Sequence, residues 1–242
     1  MSVDFHSHIL PGIDDGSASV QQSVEMLRME AEQGIKYVVA TPHFYPKHDT
    51  LENFLARRTR AEARLREEMT KHTGLPEVSV GAEVYYFSGI SESDAIRDLT
   101  IAGKKFILLE MTPAPWTNAM YSEIERIYPR FGIVPVIAHI DRYIRPFRTF
   151  DILDRLCDLP VLIQANAGFF LNRFTKAMAL KMLQHKQIHL LGSDCHNLTD
   201  RAPNLGLAQQ VILRQLGDEA LCFVNQKALS ILDGTFAGVE WF

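Results

Sequence analysis

The segment DFHSHILPGIDDG, residues 4–16, contains two histidines that are separated by a single serine. Because side chains alternate along a β-strand, His6 and His8 would project from the same face and could bind one metal ion between them. Three further histidines, His43, His139 and His196, stand at or just beyond the end of a short apolar run. These five of the nine histidines indicate metal chemistry, provided that the fold brings the runs together.

Short runs of β-branched and apolar residues occur seven times, and most are separated by stretches with helical character. This alternation is typical of repeated βα units, which form a parallel sheet covered by helices. The runs are VDFHSH, KYVVATPH, VSVGAE, FILLE, VPVIAH, VLIQAN and IHLLGSD. They predict a single-domain α/β barrel over residues 1–242. After the seventh run the chain has more helical character, over about residues 203–232, and no eighth strand.

The seven runs end in residues of similar chemistry, since all but one end in a histidine or a carboxylate. Their last residues are His8, His43, Glu83, Glu110, His139, Asn166 and Asp194. In a parallel barrel the carboxyl ends of the strands converge on one rim. Taken singly, each residue could instead cap a turn or pair with an arginine, but their joint placement favours a metal cluster. Imidazole and carboxylate ligands without thiolate suit Zn, Mn, Fe or Co, and their number indicates more than one ion.

The first helix has recognisable start and stop signals. Ser19 and Gln22 have the spacing of a capping box, and apolar residues that follow repeat at helical intervals. Gly34 is a plausible end of this helix, because glycine commonly follows the last helical turn.

Composition excludes several classes of function. The net charge of −4 gives no general attraction to nucleic acid or to an anionic membrane, and no apolar run is long enough to span a bilayer. The basic stretch RRTRAEARLR, residues 57–66, is interleaved with and followed by glutamates, which predicts a solvated helix face. The scattered Cys157, Cys195 and Cys222 exclude a disulfide framework and predict a cytoplasmic protein.

The motifs HSHILPGIDDG, ATPH, GAEVYY, VIAHIDRY and GSDCHN, in this order, resemble the polymerase-and-histidinol-phosphatase (PHP) superfamily. Within it, the chain is most similar to the metal-dependent protein tyrosine phosphatases of bacterial capsule and exopolysaccharide biosynthesis. The resemblance covers essentially the whole chain. It implies a PHP-type fold, which is a distorted TIM-like (β/α)7 barrel with a metal centre of two or three divalent ions at its rim. Manganese is the first expectation for these ions, with Fe, Zn and Co as alternatives.

The resemblance also implies which residues bind the metals and the phosphate. The nine implied metal ligands are His6, His8, Asp15, His43, Glu83, Glu110, His139, Asp194 and His196. Asp14 remains an alternative to Asp15, because the sequence does not say which of the two carboxylates turns inward. Arg142 and Arg201 match arginines that bind the substrate phosphate in this family, and a guanidinium suits that role because it meets phosphate oxygens bidentately.

The implied reaction is hydrolysis of phosphotyrosine by a metal-bridging hydroxide, with a bacterial tyrosine kinase that regulates polysaccharide export as the substrate. No general acid is identified, and His48 and Asp141 are the candidates. Several aromatic residues near the predicted rim could line a cleft for the substrate ring, although packing in the core is the more common role for each of them. They are Tyr85, Tyr86, Trp116, Phe169 and Phe170.

The sequence is also compatible with other functions. The segment CHNLTDR, residues 195–201, satisfies the C-x5-R pattern of cysteine-dependent phosphatases, but it has no glycine between the cysteine and the arginine. If Asp194 and His196 face the metals from an extended segment, Cys195 must point away from them. A histidinol-phosphate phosphatase has similar ligands, whereas nucleases and amidohydrolases fit the motifs less well. A binding module that retains a structural metal centre is the alternative from another class.

Overall fold

The computed structural model of the chain describes residues 1–144 and 150–236. All strand pairs within it are parallel. The strands are β1 (Val3–Ser7), β2 (Tyr37–Ala40), β3 (His43–Phe44), β4 (Glu77–Val80), β5 (Glu83–Tyr85), β6 (Phe106–Glu110), β7 (Val134–Ile137), β8 (Leu162–Asn166) and β9 (Leu190–Gly192). The helices are α1 (Val20–Glu32), α2 (Leu51–Met69), α3 (Asn118–Phe131), α4 (Phe150–Cys157), α5 (Ala167–Leu171), α6 (Lys176–Gln184), α7 (Leu205–Leu216) and α8 (Asp218–Asp233).

The nine strands occupy the seven predicted positions, because two of the predicted strands are interrupted. β2 and β3 are consecutive parts of one strand around Pro42, and β4 and β5 are consecutive parts of another around Gly81. Backbone hydrogen bonds continue through the interruption, from Gly81 N to Ala40 O at 2.9 Å and from Glu83 N to Pro42 O at 3.0 Å. The two breaks divide the hydrogen-bonded ladder into β1-β2-β4 and β3-β5-β6-β7-β8-β9. They are a source of the distortion that the PHP-type resemblance implies.

The first and last strands meet and close the sheet on itself. Ser7 and Cys195 form a parallel bridge. Asp194 N donates to His6 O at 2.8 Å, and His8 N donates to Cys195 O at 2.9 Å. The predicted TIM-like (β/α)7 barrel is therefore confirmed, with its carboxyl-terminal strand ends on a common rim.

Apolar side chains fill the barrel below this rim. Phe5, Val39, Leu108 and Val136 belong to one buried cluster, to which α8 contributes Ile231. The opposite faces of the strands pack against the surrounding helices in a second, larger cluster. Because both faces of most strands are buried, polar side chains are concentrated where the strands end.

The local helix signals are confirmed except for the reciprocal half of the capping box, because the Gln22 side chain accepts from Ala18 N and not from Ser19 N. Ser19 caps α1 by accepting a hydrogen bond from Gln22 N, and Gly34 follows the helix with a φ of +85°. The expected helical region near the C-terminus is divided into α7 and α8 by Gly217, whose φ is +81°. Within the described residues no strand follows β9, as predicted. No described helix has both the length and the apolar character needed to cross a bilayer.

A bulge in β1 decides which of its side chains face the rim. Asp4 pairs with Val38 and Ser7 pairs with Ala40, so β1 has one residue more than β2 between these pairs. Such an extra residue locally reverses the alternation of side chains. His6 consequently points into the barrel, whereas the Asp4 carboxylate lies outside it, close to Glu30 of α1.

Candidate metal centre

The nine predicted ligands lie together at the rim, and we call them the rim cluster. Glu83, the first residue of β5, lies at its centre and is buried. Its Oε2 atom is 3.2 Å from Nε2 of both His6 and His8 and 3.0 Å from His43 Nδ1. Its Oε1 atom is 2.7 Å from His139 Nε2. A carboxylate among so many imidazoles is suited to bridging two cations.

Asp194 closes the cluster on the side of β1. Its Oδ1 atom lies 3.4 Å from His8 Nε2 and 3.6 Å from His6 Nε2. Asp194 and His139 both have positive φ angles, +56° and +32°. This region of backbone conformation is uncommon for residues other than glycine, and residues held in it are concentrated at functional sites.

Asp15 and His196 form the outer part of the cluster. Asp15 Oδ1 lies 3.5 Å from His43 Nε2 and 3.5 Å from His196 Nε2. The Asp15 side chain is 64% exposed, so it lies at the mouth of the site. Glu110 completes the opposite side, with Oε1 at 3.6 Å from His139 Nε2.

The neighbouring Asp14 has a different position from Asp15. Its Oδ2 atom accepts a hydrogen bond from His43 N at 3.0 Å and lies 2.8 Å from His8 Nδ1. Because a carboxylate only accepts, this contact keeps the proton of His8 on Nδ1 and leaves Nε2 available to a metal. Gly16 allows this loop to fold back, since a Cβ atom there would lie 2.3 Å from His8 O. The structure thus brings Asp15 into the cluster and leaves Asp14 behind it.

Gln164 was missed by the sequence analysis. Its Oε1 atom accepts from His139 N at 2.7 Å and lies 3.2 Å from His6 Nδ1, so it orients His6 as Asp14 orients His8. Asn166, the exception among the strand ends, donates from Nδ2 to Asp194 Oδ2 at 2.9 Å. The available signal was a buried amide in β8 two residues before Asn166, on the same face of the strand.

The donor atoms of the rim cluster fit divalent cations. Three groups have ligand atoms that all lie within 4.8 Å of one another: His6, His8 and Asp194; His43, Glu83 and Glu110; and His8, Asp15, His43 and His196. Buried atoms without a hydrogen-bond partner include Glu83 Oε2, Glu110 Oε2 and His196 Nε2. Leaving such atoms unsatisfied is costly, and imidazole nitrogens with carboxylate oxygens are the ligands of Zn, Mn, Fe and Co sites.

The carboxylates and imidazoles of the cluster shift one another's pKa values. Burial alone would raise the pKa of Glu83, but the charge of His6 and the hydrogen bonds with His139 lower it well below its usual value. Burial likewise opposes ionisation of Asp194, yet its pKa is lowered by His6 and His8. Burial and then the charge of His8 lower the pKa of His196 to about 4. At neutral pH Glu83 and Asp194 are ionised and His196 retains a free lone pair, whereas, against the effect of burial, the charges of Glu83 and Asp194 raise the pKa of His6.

The two predicted phosphate-binding arginines flank the cluster. Arg142 donates to Glu110 Oε1 at 3.0 Å and to Asp194 Oδ2 at 2.9 Å. Arg201 donates to Asp194 Oδ1 at 3.0 Å, and its Nη1 atom lies 3.6 Å from Asp15 Oδ2. Their side chains are 41% and 39% exposed, so both guanidinium groups can meet a ligand that approaches the rim.

Cys195 points away from the rim cluster, as the alternation argument requires. It is fully buried, and its Sγ atom lies 4.0 Å from Glu30 Oε1. Burial first, and then the charges of Glu30 and Asp4, raise the pKa of this thiol well above its usual value. A nucleophilic cysteine requires a lowered pKa and access to substrate, and Cys195 has neither.

The aromatic residues predicted for the substrate cleft and the general-acid candidate Asp141 lie in different parts of the structure. Phe169 and Phe170 are buried in the core, Tyr86 donates to Glu123, and Trp116 packs against Tyr121 and Tyr143. Tyr85 is in ring contact at 5.5 Å with Tyr45, which was not predicted and whose ring lies 4.9 Å from that of His43 in the rim cluster. Burial raises the pKa of Asp141, whose Oδ1 accepts from Asn166 N at 3.1 Å.

Comparison with known proteins gives a consistent set of relatives. The chain is 28% identical over 233 residues to the tyrosine-protein phosphatase CpsB of Streptococcus agalactiae, covering 90% of this chain and 92% of that protein. It is 27% identical over 234 residues to the tyrosine-protein phosphatase YwqE of Bacillus subtilis, covering 95% and 91%.

A solved structure agrees with these relatives. It comes from a study of YwqE from Bacillus subtilis and CpsB from Streptococcus pneumoniae, described as unique metal-dependent tyrosine phosphatases. Its TM-score is 0.86 at 26% sequence identity, and the match covers 96% of this chain and 94% of that one. The family model for capsular polysaccharide synthesis, CpsB/CapC, matches residues 2–229. The chain therefore belongs to the CpsB/CapC family of capsular polysaccharide synthesis.

Proposed function

We propose that the chain is a metal-dependent protein-tyrosine phosphatase. This proposal rests on one observation. Two half-exposed arginines, Arg142 and Arg201, form ion pairs with carboxylates of the rim cluster, in which imidazoles and carboxylates lie together. A cation cluster beside guanidinium groups suits the binding of a dianionic phosphate ester. The names of the relatives support tyrosine phosphate as the ester, and family membership supports a role in capsular polysaccharide synthesis.

The residues that would hold the ions are the nine of the rim cluster, and His8 and His6 would be oriented by Asp14 and Gln164. Divalent ions, when bound, supply positive charge for a phosphoryl group and a water of lowered pKa. The donor set suits two or three ions, with manganese as our first choice among Mn, Fe, Zn and Co. We further propose that residues 1–242 form one phosphatase domain.

The arginines would hold the phosphate against the rim. Each guanidinium carries five donors, and Arg142 and Arg201 use only some of them on Glu110 and Asp194. The remaining donors would bind equatorial phosphate oxygens and stabilise the charge that they carry during the displacement. The phenol of tyrosine has a pKa of about 10, so its phenolate can leave with less help from a proton donor than an alkoxide would need. His48 and Asp141 remain the candidates for donating that proton.

We propose a bacterial tyrosine kinase that regulates polysaccharide export as the substrate, and the cytoplasm as the location of the reaction. The three cysteines of the chain are all free, and this is consistent with a reducing compartment. The proposal includes neither nucleic-acid binding nor membrane insertion.

The decisive experiment measures metal content and hydrolysis on the same sample. Elemental analysis of the purified protein should find two or three transition-metal ions per chain. Hydrolysis of p-nitrophenyl phosphate and of a phosphotyrosine peptide should stop on chelation and return when metal is added. A metal-loaded protein that is inert on both would overturn the proposal, and histidinol phosphate as the preferred substrate would replace it with the alternative phosphatase.

A second experiment separates the arginines from the metals. Arg142→Lys retains the charge but loses the fork of donors, so kcat/KM for the phosphotyrosine peptide should fall about tenfold to a hundredfold with metal content unchanged. Arg214→Lys, on the exposed part of α7, is the matched control and should change neither. An Arg142→Lys variant with full activity would remove this arginine from the proposed phosphate site.

A further inference from the structure

A cavity adjoins the outer part of the rim cluster. It has a volume of about 480 Å³, and Asp15 and His43 of the rim cluster form part of its wall. The remaining wall is formed by Ile13, Asp14, Tyr45, His48, Asp49 and Arg57. A group held at the rim cluster can therefore extend directly into this cavity.

The side of the cavity nearest the rim cluster is aromatic. The Tyr45 ring lies 4.9 Å from the His43 ring with 30° between their planes, and 5.5 Å from the Tyr85 ring. On the other side, the His48 ring meets Tyr45 edge-on at 6.3 Å. Ring centroids at these separations are in the range of favourable aromatic contacts. A flat ring that leaves the metal centre would find a ready-made stacking surface.

Arg57 of α2 holds the two loops that form the cavity. Its Nη1 atom donates to Ile13 O at 2.8 Å in the loop after β1, and its Nη2 atom donates to Asp49 in the loop after β3. Arg57 is thereby paired with Asp49, and the lining of the cavity contains three carboxylates, those of Asp14, Asp15 and Asp49. These carboxylates disfavour an anion in the cavity. The lining suits an uncharged aromatic group.

We propose that this cavity binds the phenyl ring of phosphotyrosine, and that Tyr45 is a specificity-determining residue for aryl over alkyl phosphates. The inference rests on the proposed function, since the phosphate must first be bound at the rim cluster. Tyr45 contacts the ring of the substrate, whereas Arg57 acts only as a positioning residue that holds the cavity open.

The test uses two phosphonates that share a charged head group, phenylphosphonate and methylphosphonate. Their dissociation constants for the metal-loaded protein are measured by calorimetry, which needs no turnover and is independent of the leaving group. Tyr45→Leu should weaken phenylphosphonate binding about tenfold and change methylphosphonate binding less than twofold. Tyr45→Phe retains the ring and should bind both as the unmodified protein does. His48 is an exposed residue of the cavity wall, and His48→Ala should weaken phenylphosphonate binding about threefold.

The control is Tyr128→Leu, the same substitution in a half-exposed tyrosine of α3, which should change neither constant. Equal weakening of both phosphonates by Tyr45→Leu, or no change in either, would overturn the ring subsite and leave the proposed function standing. Failure of the unmodified, metal-loaded protein to bind either phosphonate would overturn the proposed function and, with it, this inference.

Discussion

Glu83 and Glu30 are both buried glutamates, but their surroundings differ in kind. Glu83 lies among the imidazoles of the rim cluster, and its pKa is lowered well below the usual value against the effect of burial. Glu30 lies beside Asp4, and we call these two residues the buried acid pair. Burial first, and then the charge of Asp4, raise the pKa of Glu30 well above its usual value. A buried carboxyl group therefore requires either a cation or a proton, and the neighbours decide which.

The buried acid pair also resembles a metal site in composition. Asp4, Glu30 and Cys195 offer ligand atoms within 4.8 Å of one another, as the groups of the rim cluster do. The buried acid pair, however, is sealed from solvent behind β1, and Asp4 accepts hydrogen bonds from His6 N at 3.1 Å and Ser193 N at 2.9 Å. Proximity of ligand-type residues is thus not sufficient for a metal centre, which also needs access and oriented imidazoles.

The strongest test of this comparison makes one substitution in both places. Glu83→Gln removes the central carboxylate of the rim cluster, so metal content should fall and kcat/KM should drop at least about a hundredfold. Glu30→Gln is the matched control and should retain metal and turnover, because Glu30 is buried on α1 outside the rim cluster. Elemental analysis and phosphotyrosine-peptide hydrolysis measure both. A fully loaded, active Glu83→Gln variant would contradict the central role of Glu83.

The orienting role of Asp14 predicts a smaller effect. Asp14→Asn replaces an obligate acceptor with an amide, which no longer enforces the His8 tautomer that leaves Nε2 free. Metal affinity should fall about tenfold to a hundredfold, as measured by competition with a chelator. Asp158→Asn, at an exposed position after α4, should leave the affinity unchanged. Unchanged affinity in Asp14→Asn would mean that the loop, rather than the carboxylate, orients His8.

The buried acid pair should reveal itself in the pH dependence of stability. Glu30 has a raised pKa in the folded state, so above its unfolded value of about 4.5 the unfolded chain binds fewer protons. The stability contributed by protonated Glu30 is therefore present at low pH and is lost as pH rises toward its folded pKa. Glu30→Gln cannot ionise, so its stability relative to the unmodified protein should increase with pH.

The limiting slope of this gain is about 1.4 kcal/mol per pH unit, and urea unfolding between pH 5 and pH 8 measures it. Parallel stability curves for the two proteins would show that Glu30 is ionised in the fold. That result would remove the distinction between Glu30 and Glu83.

The smallest effect on catalysis is expected at Cys195. Cys195→Ala should retain metal content and kcat/KM within about twofold, because the thiol lies on the side of β1 that faces the buried acid pair. The unfolding midpoint should decrease, since the substitution leaves a small cavity in the core. A folded, metal-loaded variant without turnover would instead restore the cysteine mechanism.

Much of the fold could be predicted because its signals are local. β-branched runs of the right length predict strands, and residues such as Ser19 and Gly34 end helices through their own backbone and side-chain preferences. The convergence of His8, Glu83 and Asp194 on a common rim followed from the parallel βα pattern alone. The interruptions at Pro42 and Gly81 were not predicted, since continuous apolar runs do not reveal where a ladder is broken.

Sequence pattern alone predicts the seven strand positions and the histidines and carboxylates at most of their ends, because these signals are local. Long-range contacts settle which side chains beside those strand ends enter the rim cluster. The folded-back loop at Gly16 brings Asp15 to His43 and Asp14 behind His8, and the bulge in β1 turns Asp4 toward Glu30. These choices depend on hydrogen bonds between residues that are distant along the chain, such as that from Ser193 N to Asp4. Local propensity and periodicity carry no information about such contacts.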